Sequence, residues 1–130
     1  MNASSDLSST ERMTQERFKE LVDNRTIYIF SVNLEGIGLL RRFTHMGLEV
    51  GGFIDSRPYK RGKPVIPPSE FFAREDHNVF VVITAKHRQT RRWAIDLCTN
   101  FGLEKNVTFL TSTTLCDYLA RSNETPRFDA

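Results

Sequence analysis

Hydrophobic residues follow two alternating rhythms along this chain. Thr26 to Val32 (TIYIFSV), Leu48 to Ile54 (LEVGGFI), Asn78 to Thr84 (NVFVVIT) and Asn106 to Leu110 are short runs rich in β-branched and aromatic residues. Their near-continuous apolar character suits parallel strands covered on both faces. Around them, apolar positions recur at helical spacing. Met13, Phe18, Leu21 and Val22 mark a first helix capped at Thr10, and Ile37, Leu40, Phe43 and Met46 mark a second stopped at Gly47. Ala94, Leu97, Cys98 and Phe101 mark a third, running from about His87 to a stop at Gly102. Ser69 opens a short helix over Glu70 to Glu75, and Thr113 or Thr114 opens a closing helix through Leu115, Tyr118 and Leu119. Prolines exclude a central strand from Ser56 to Pro68, which predicts an exposed loop with a short extended edge.

This alternation predicts an α/β fold, a small doubly wound Rossmann-like domain with a four-stranded, mainly parallel sheet and helices on both faces. Reversing the winding after the second strand gives the spatial order second, first, third, fourth. It opens a crevice between the carboxyl ends of the first and third strands. The domain is expected over residues 10–121, between a disordered leader (1–9) and a flexible tail (122–130).

Composition narrows the picture. A chain of 130 residues, 39% of them hydrophobic, suffices for one core and not for two ordinary domains. Eighteen Lys and Arg against sixteen Asp and Glu leave a formal charge of +2, so no specific nucleic-acid partner is expected and any basic site is local. No run approaches the roughly 20 apolar residues of a membrane span, and no basic-then-apolar leader occurs. The expectation is a cytoplasmic protein without membrane insertion. Cys98 and Cys116 lack metal-ligand spacing and fall among apolar residues, as reduced core cysteines do.

Chemistry in this fold gathers after the first, second and third strands. The turn from Ser31 to Gly36 takes the place of a glycine-rich phosphate turn, with Ser31 and Asn33 where glycine would allow a tight bend and close approach to phosphate. Ser31 keeps a hydroxyl donor, Asn33 tolerates the left-handed conformation, and the helix start attracts anions. Against this, both side chains occupy space a pyrophosphate needs, and Glu35 competes for the same N–H groups. A phosphate-holding turn and a purely structural corner both stay open. Asp55, about twenty residues on, is either a ribose acceptor or the cap of a turn with Ser56. Arg57, Lys60, Arg61 and Lys63 form either a solvated loop or a neutraliser of diphosphate. After the third strand, Thr84 leads into Lys86, His87, Arg88, Arg91 and Arg92. Cations at a helix start oppose the dipole unless an anion lies between them, a local conflict that points to a ligand. His87 has no paired carboxylate or nucleophile, so a surface histidine is the better reading than a general base. Trp93 groups with the phenylalanines as core, and no catalytic triad, zinc spacing or P-loop is found.

The segments IYIFSVNLEGIGLLRRFTHMGLEVGGFIDS, RGKPVIPPSEFF and NVFVVITAKHRQTRRWAIDLCTNFGL together resemble the Rossmann-like N-terminal domain of bacterial sugar acyltransferases that modify nucleotide-linked amino sugars. Similar modules precede other enzymes of polysaccharide biosynthesis and some sugar or lipid methyltransferases. The resemblance spans roughly Thr26 to Leu110 and is carried best by Gly52-Phe53-Ile54-Asp55 and Gly62-Lys63-Pro64-Val65-Ile66. It implies a nucleotide-sugar ligand such as a UDP-sugar, with roles for the first turn, Asp55 and the basic loop. The hexapeptide-repeat region that carries acyl-CoA chemistry in those enzymes is expected to be missing, since the chain ends at Ala130. The expectation is therefore a binding module of surface-polysaccharide or glycan biosynthesis, with no catalytic residues and no metal. Its ligand-binding set is Ser31, Asn33, Gly36, Asp55, Arg57, Lys60, Thr84, Lys86, His87 and Arg88. The rival reading is a degenerate interaction or scaffolding domain for a partner biosynthetic enzyme, and either reading leaves room for a homodimer.

Overall fold

The structure is a computed structural model that describes residues 15–57 and 62–112. Its elements run α1 (Gln15–Leu21), β1 (Thr26–Phe30), α2 (Leu34–His45), β2 (Val50–Ile54), β3 (Val65–Ile66), α3 (Pro68–Phe71), β4 (Val79–Ile83), α4 (Arg88–Phe101) and β5 (Phe109–Thr111). The strands form one sheet in the order β3-β2-β1-β4-β5, and every pairing is parallel. The sheet therefore has five strands rather than four. The extra one is the extended edge of the proline-containing segment, where Val65 and Ile66 pair with Phe53 and Ile54. Short length and flanking prolines suit it to an edge.

Several boundaries differ from the sequence expectation for local reasons. β1 ends at Phe30, not Val32, because Ser31 adopts φ 97, which no strand continues. β5 begins at Phe109 rather than Asn106, since Asn106 itself takes φ 65 in a turn. α3 starts after Pro67, which caps without a side-chain bond, and it stops at Phe71, so Ser69 lies inside the helix and Glu75 beyond it. Gly102 ends α4 as expected, at φ 105, accepting the left-handed turn that a side chain would resist. The leader, Thr10, Met13, Lys60, Arg61, Cys116 and the closing helix and tail lie outside the described residues.

Strand alternation explains how one sheet serves two cores. Ile27 and Ile29 of β1, Phe80 and Val82 of β4 and Leu110 of β5 pack on one face with Phe18 of α1 and Leu39 and Phe43 of α2. Phe30, Val79, Val81, Ile83 and Phe109 pack on the other with Phe71 of α3 and Ala94 and Cys98 of α4. Helices thus cover both faces, and every residue of β4 is buried. Phe18 ties α1 to the first core by stacking on Phe43 at 5.3 Å and meeting Phe80 edge-on at 5.5 Å. Each such fully buried ring is worth roughly 1.5–3 kcal/mol of transfer free energy.

β2 breaks the alternation. Ile27 pairs with Val50 but Tyr28 pairs with Gly52, so Gly51 is an extra residue in a bulge. The bulge shifts parity and lets Val50 and Phe53 share one core although three positions separate them. It also requires both glycines. A Cβ on Gly51 would lie 2.6 Å from the Tyr28 ring, and one on Gly52 would lie 2.5 Å from the Pro64 carbonyl oxygen. Gly38, in the exposed middle of α2, meets nothing within 4 Å. Gly52→Ala is expected to lower unfolding free energy by about 1–3 kcal/mol. Gly38→Ala is expected to raise it by about 0.5–1 kcal/mol, since only backbone entropy changes there. Urea denaturation of the two variants beside the parent checks both signs.

Candidate functional site

The winding reverses at β1, whose neighbours β2 and β4 are reached by connections on opposite sides, and the crevice lies at the carboxyl ends of these strands. Three corners meet there. In the first, Ser31 carries the positive φ, a strain of about 1–3 kcal/mol for a non-glycine residue. It is held by its N–H, which donates to the Ile54 carbonyl at 2.8 Å. Its own carbonyl lies 3.0 Å from the Thr84 hydroxyl, which also reaches the Phe30 carbonyl at 2.9 Å. Asn33, which tolerates the left-handed conformation, is extended instead, with φ −148, and it caps α2. Its Oδ1 accepts from the Gly36 N–H and its Nδ2 donates to the Thr84 carbonyl, both at 2.8 Å. Gly36 serves packing, since a Cβ there would come within 2.7 Å of the Ser31 carbonyl oxygen. The Asn33 side chain thus caps α2 by taking up the Gly36 N–H.

The second corner is Asp55. Its Oδ2 accepts from the Val32 N–H at 2.8 Å and its Oδ1 from the Arg57 N–H at 3.1 Å. The Arg57 guanidinium approaches the same carboxylate at 3.8 Å, and the Asp55 side chain is only 10% exposed. Asp55 closes the local turn that the cap reading expects, and it also braces the end of β2 against the β1–α2 corner.

The third corner precedes α4 and is organised differently. Thr84 is buried and belongs to the first corner through its hydroxyl and carbonyl, whereas Lys86, His87 and Arg88 are exposed. His87 caps α4 with no side-chain hydrogen bond, and the first turn contains no acidic residue. The conflict of cations with the helix dipole is met in part by Glu35, whose carboxylate lies 3.3 Å from the Lys86 ammonium. Arg91 turns back to the Lys86 carbonyl at 3.3 Å. The structure thus joins Ser31, Asn33, Gly36 and Thr84 by hydrogen bonds, sets Asp55 and Arg57 beside them through the Val32 N–H, and pairs Lys86 with Glu35 of α2, with His87 and Arg88 following in the chain. His87 has no described hydrogen-bond partner that would position it as a base.

Sequence reasoning misplaced Trp93. It is 45% exposed, not core, and meets Phe30 in a T-shaped contact at 5.9 Å. Its position in the second turn of α4, among Arg91, Arg92 and Ala94, was the available signal. A cavity of about 500 Å³ opens at the opposite end of the strands, before β1 and β2 and below the ends of α1 and α2, where Lys19, Asp23, Arg25 and Glu49 line it with mixed charge. Two helix carboxyl ends face it and its two cations are matched by two carboxylates, so the crevice is the better candidate for an anionic ligand. Among the described residues no group of three or more His, Cys, Asp and Glu is placed to hold a metal, and no helix is long and apolar enough to cross a membrane.

Cys98 is buried against β4, and desolvation pushes its thiol up to about 12, so it is not poised as a nucleophile. Compared with protein families, curated proteins and solved structures, the chain matches none.

Asn33→Ala is expected to cost about 1–2 kcal/mol, since it removes the cap and leaves the Thr84 carbonyl without its donor; thermal and urea denaturation measure this loss. Cys98 is expected to resist iodoacetamide at neutral pH in the native protein and to react in denaturant, as read by peptide mapping. Because its folded pKa exceeds the unfolded value of 9.0, the unfolded chain releases its proton first, and stability contributed here falls as pH rises from about 9 towards 12.

Proposed function

We propose that the chain is a non-catalytic Rossmann-like module that binds a nucleotide or nucleotide-sugar in the crevice, with the ligand's phosphate at the start of α4 rather than α2. One contrast carries this reading. Asn33 fills the start of α2, while the start of α4 has no side-chain cap, no acidic residue in its first turn, and Lys86, His87 and Arg88 exposed around it. N–H groups without a side-chain cap, the positive dipole end and nearby cations favour an anion in the same direction. Asp55 contributes at the neighbouring strand end, where a carboxylate oxygen retains a lone pair for a ribose hydroxyl. The resemblance to the N-terminal domains of sugar acyltransferases supports a nucleotide-sugar such as a UDP-sugar, and with it a place in surface-polysaccharide or glycan biosynthesis.

A second reading is favoured by the same closed corner. Asn33 and Asp55 spend their hydrogen bonds on the fold, which is what a site turned wholly to structure would show. The protein would then be a scaffolding domain whose exposed basic residues meet an acidic partner enzyme.

Thermal denaturation separates the two. A ligand that binds only the folded state at a hundred times its Kd adds about 2.7 kcal/mol, a rise of several degrees in Tm. The expected outcome is such a rise with one member of a panel of UDP-sugars, NAD, CoA and S-adenosylmethionine, and its loss in Arg88→Glu. No shift with any member at millimolar concentration sinks the nucleotide reading and leaves the scaffold.

A further inference from the structure

We infer that Trp93 is the stacking surface for the base of the bound nucleotide, an inference that rests on the nucleotide reading above. Among the described Phe, Tyr and Trp residues, Trp93 alone is exposed, at 45% of its surface, while the phenylalanines around it are buried or half-buried. A large ring left half in water forgoes burial that its neighbours achieve, and an amphipathic indole beside a polar crevice offers a face on which a base can stack.

Its location ties it to the crevice. The indole meets the Phe30 ring at 5.9 Å with the two planes at 89°. Phe30 is the last residue of β1, its carbonyl receives the Thr84 N–H at 3.0 Å, and it pairs with Ile54, the residue before Asp55. Trp93 therefore stands at the carboxyl end of β1, on the face that α4 covers, with Asp55 on the neighbouring strand end. Along α4 it lies five positions after Arg88, about 7.5 Å of helix rise. That span suits a ribose linking a phosphate at the helix start to a base on the indole. Stacking on an aromatic face also tolerates any base, so Trp93 sets the ligand class without selecting the base.

The chain contains one tryptophan, so intrinsic fluorescence reports this residue directly. The experiment titrates the protein with UDP, ADP, GDP and UDP-N-acetylglucosamine, beside inorganic pyrophosphate and N-acetylglucosamine 1-phosphate as probes lacking a base. Calorimetry measures affinity independently. Saturable quenching is expected with at least one nucleotide and with neither base-free probe. Trp93→Ala is expected to weaken that nucleotide about tenfold or more, with Trp93→Phe recovering most of the loss. Binding seen by calorimetry with unchanged fluorescence, or with Trp93→Ala at parental affinity, overturns the stacking role and leaves the nucleotide reading standing. Equal quenching by N-acetylglucosamine 1-phosphate places a sugar on the indole and overturns the base assignment. Absence of heat with every nucleotide overturns both. Should Trp93→Ala fail to fold, the parental titration still decides.

Discussion

The carboxyl ends of β1, β2 and β4 have to separate so that α2 and α4 can begin, and each backbone group released there needs a new partner. Three side chains meet that demand. Thr84 places its hydroxyl against the Phe30 and Ser31 carbonyls, Asn33 spans from the Gly36 N–H to the Thr84 carbonyl, and Asp55 receives the Val32 N–H. Without them the corner would leave polar groups unsatisfied at the boundary of a dry core, at about 1–3 kcal/mol each. Ser31 can hold φ 97 because these bonds determine its neighbours on both sides.

That closure divides the crevice into unequal halves. The α2 start is stopped by a carboxamide, and Glu35, which follows it, is turned towards Lys86 at 3.3 Å. The α4 start has no side-chain cap, and His87 and Arg88 are exposed beside the Lys86–Glu35 pair. Of the two helix starts that converge on the crevice, only that of α4 lacks a side-chain cap, and the proposed ligand geometry rests on that asymmetry. Electrostatics of this kind is local: a net charge of +2 on the whole chain would not reveal it.

Rigidity behind the crevice comes from the two cores. Phe30 is buried, and Phe72 joins it at 6.3 Å while meeting Phe71 and Phe101 edge-on. Interlocked rings of this sort keep their rotamers. Trp93 thus rests on a fixed partner rather than a mobile one. On the other side of the sheet, the Gly51–Gly52 bulge aligns β2 so that Ile54 and Asp55 end level with Phe30 and Ser31.

Most of the fold was legible in the chain. Near-continuous apolar runs at β1, β2 and β4 and helical spacing around Phe43 and Cys98 mark the layers, because burial on two faces or one stripe imposes those periods directly. The alternation of elements also supplied the strand order, to which the structure adds β3, a strand defined by pairing alone and too short to show a period. The bulge was announced only by two adjacent glycines, whose meaning depends on Tyr28 and Pro64, both distant in sequence. The residues of the site were equally visible as types, but their bonds were not: whether Asn33 and Asp55 face a ligand or brace the corner depends on where Thr84 and Val32 arrive. Trp93 was read as core because aromatic character favours burial, and only the docking of α4 on the sheet left its ring half in solvent. The sequence by itself thus determined the layers and the chemistry available at the crevice. Tertiary structure decided which of those groups are spent on the fold and which stay open, since that depends on contacts between residues some fifty positions apart, such as Asn33 with Thr84.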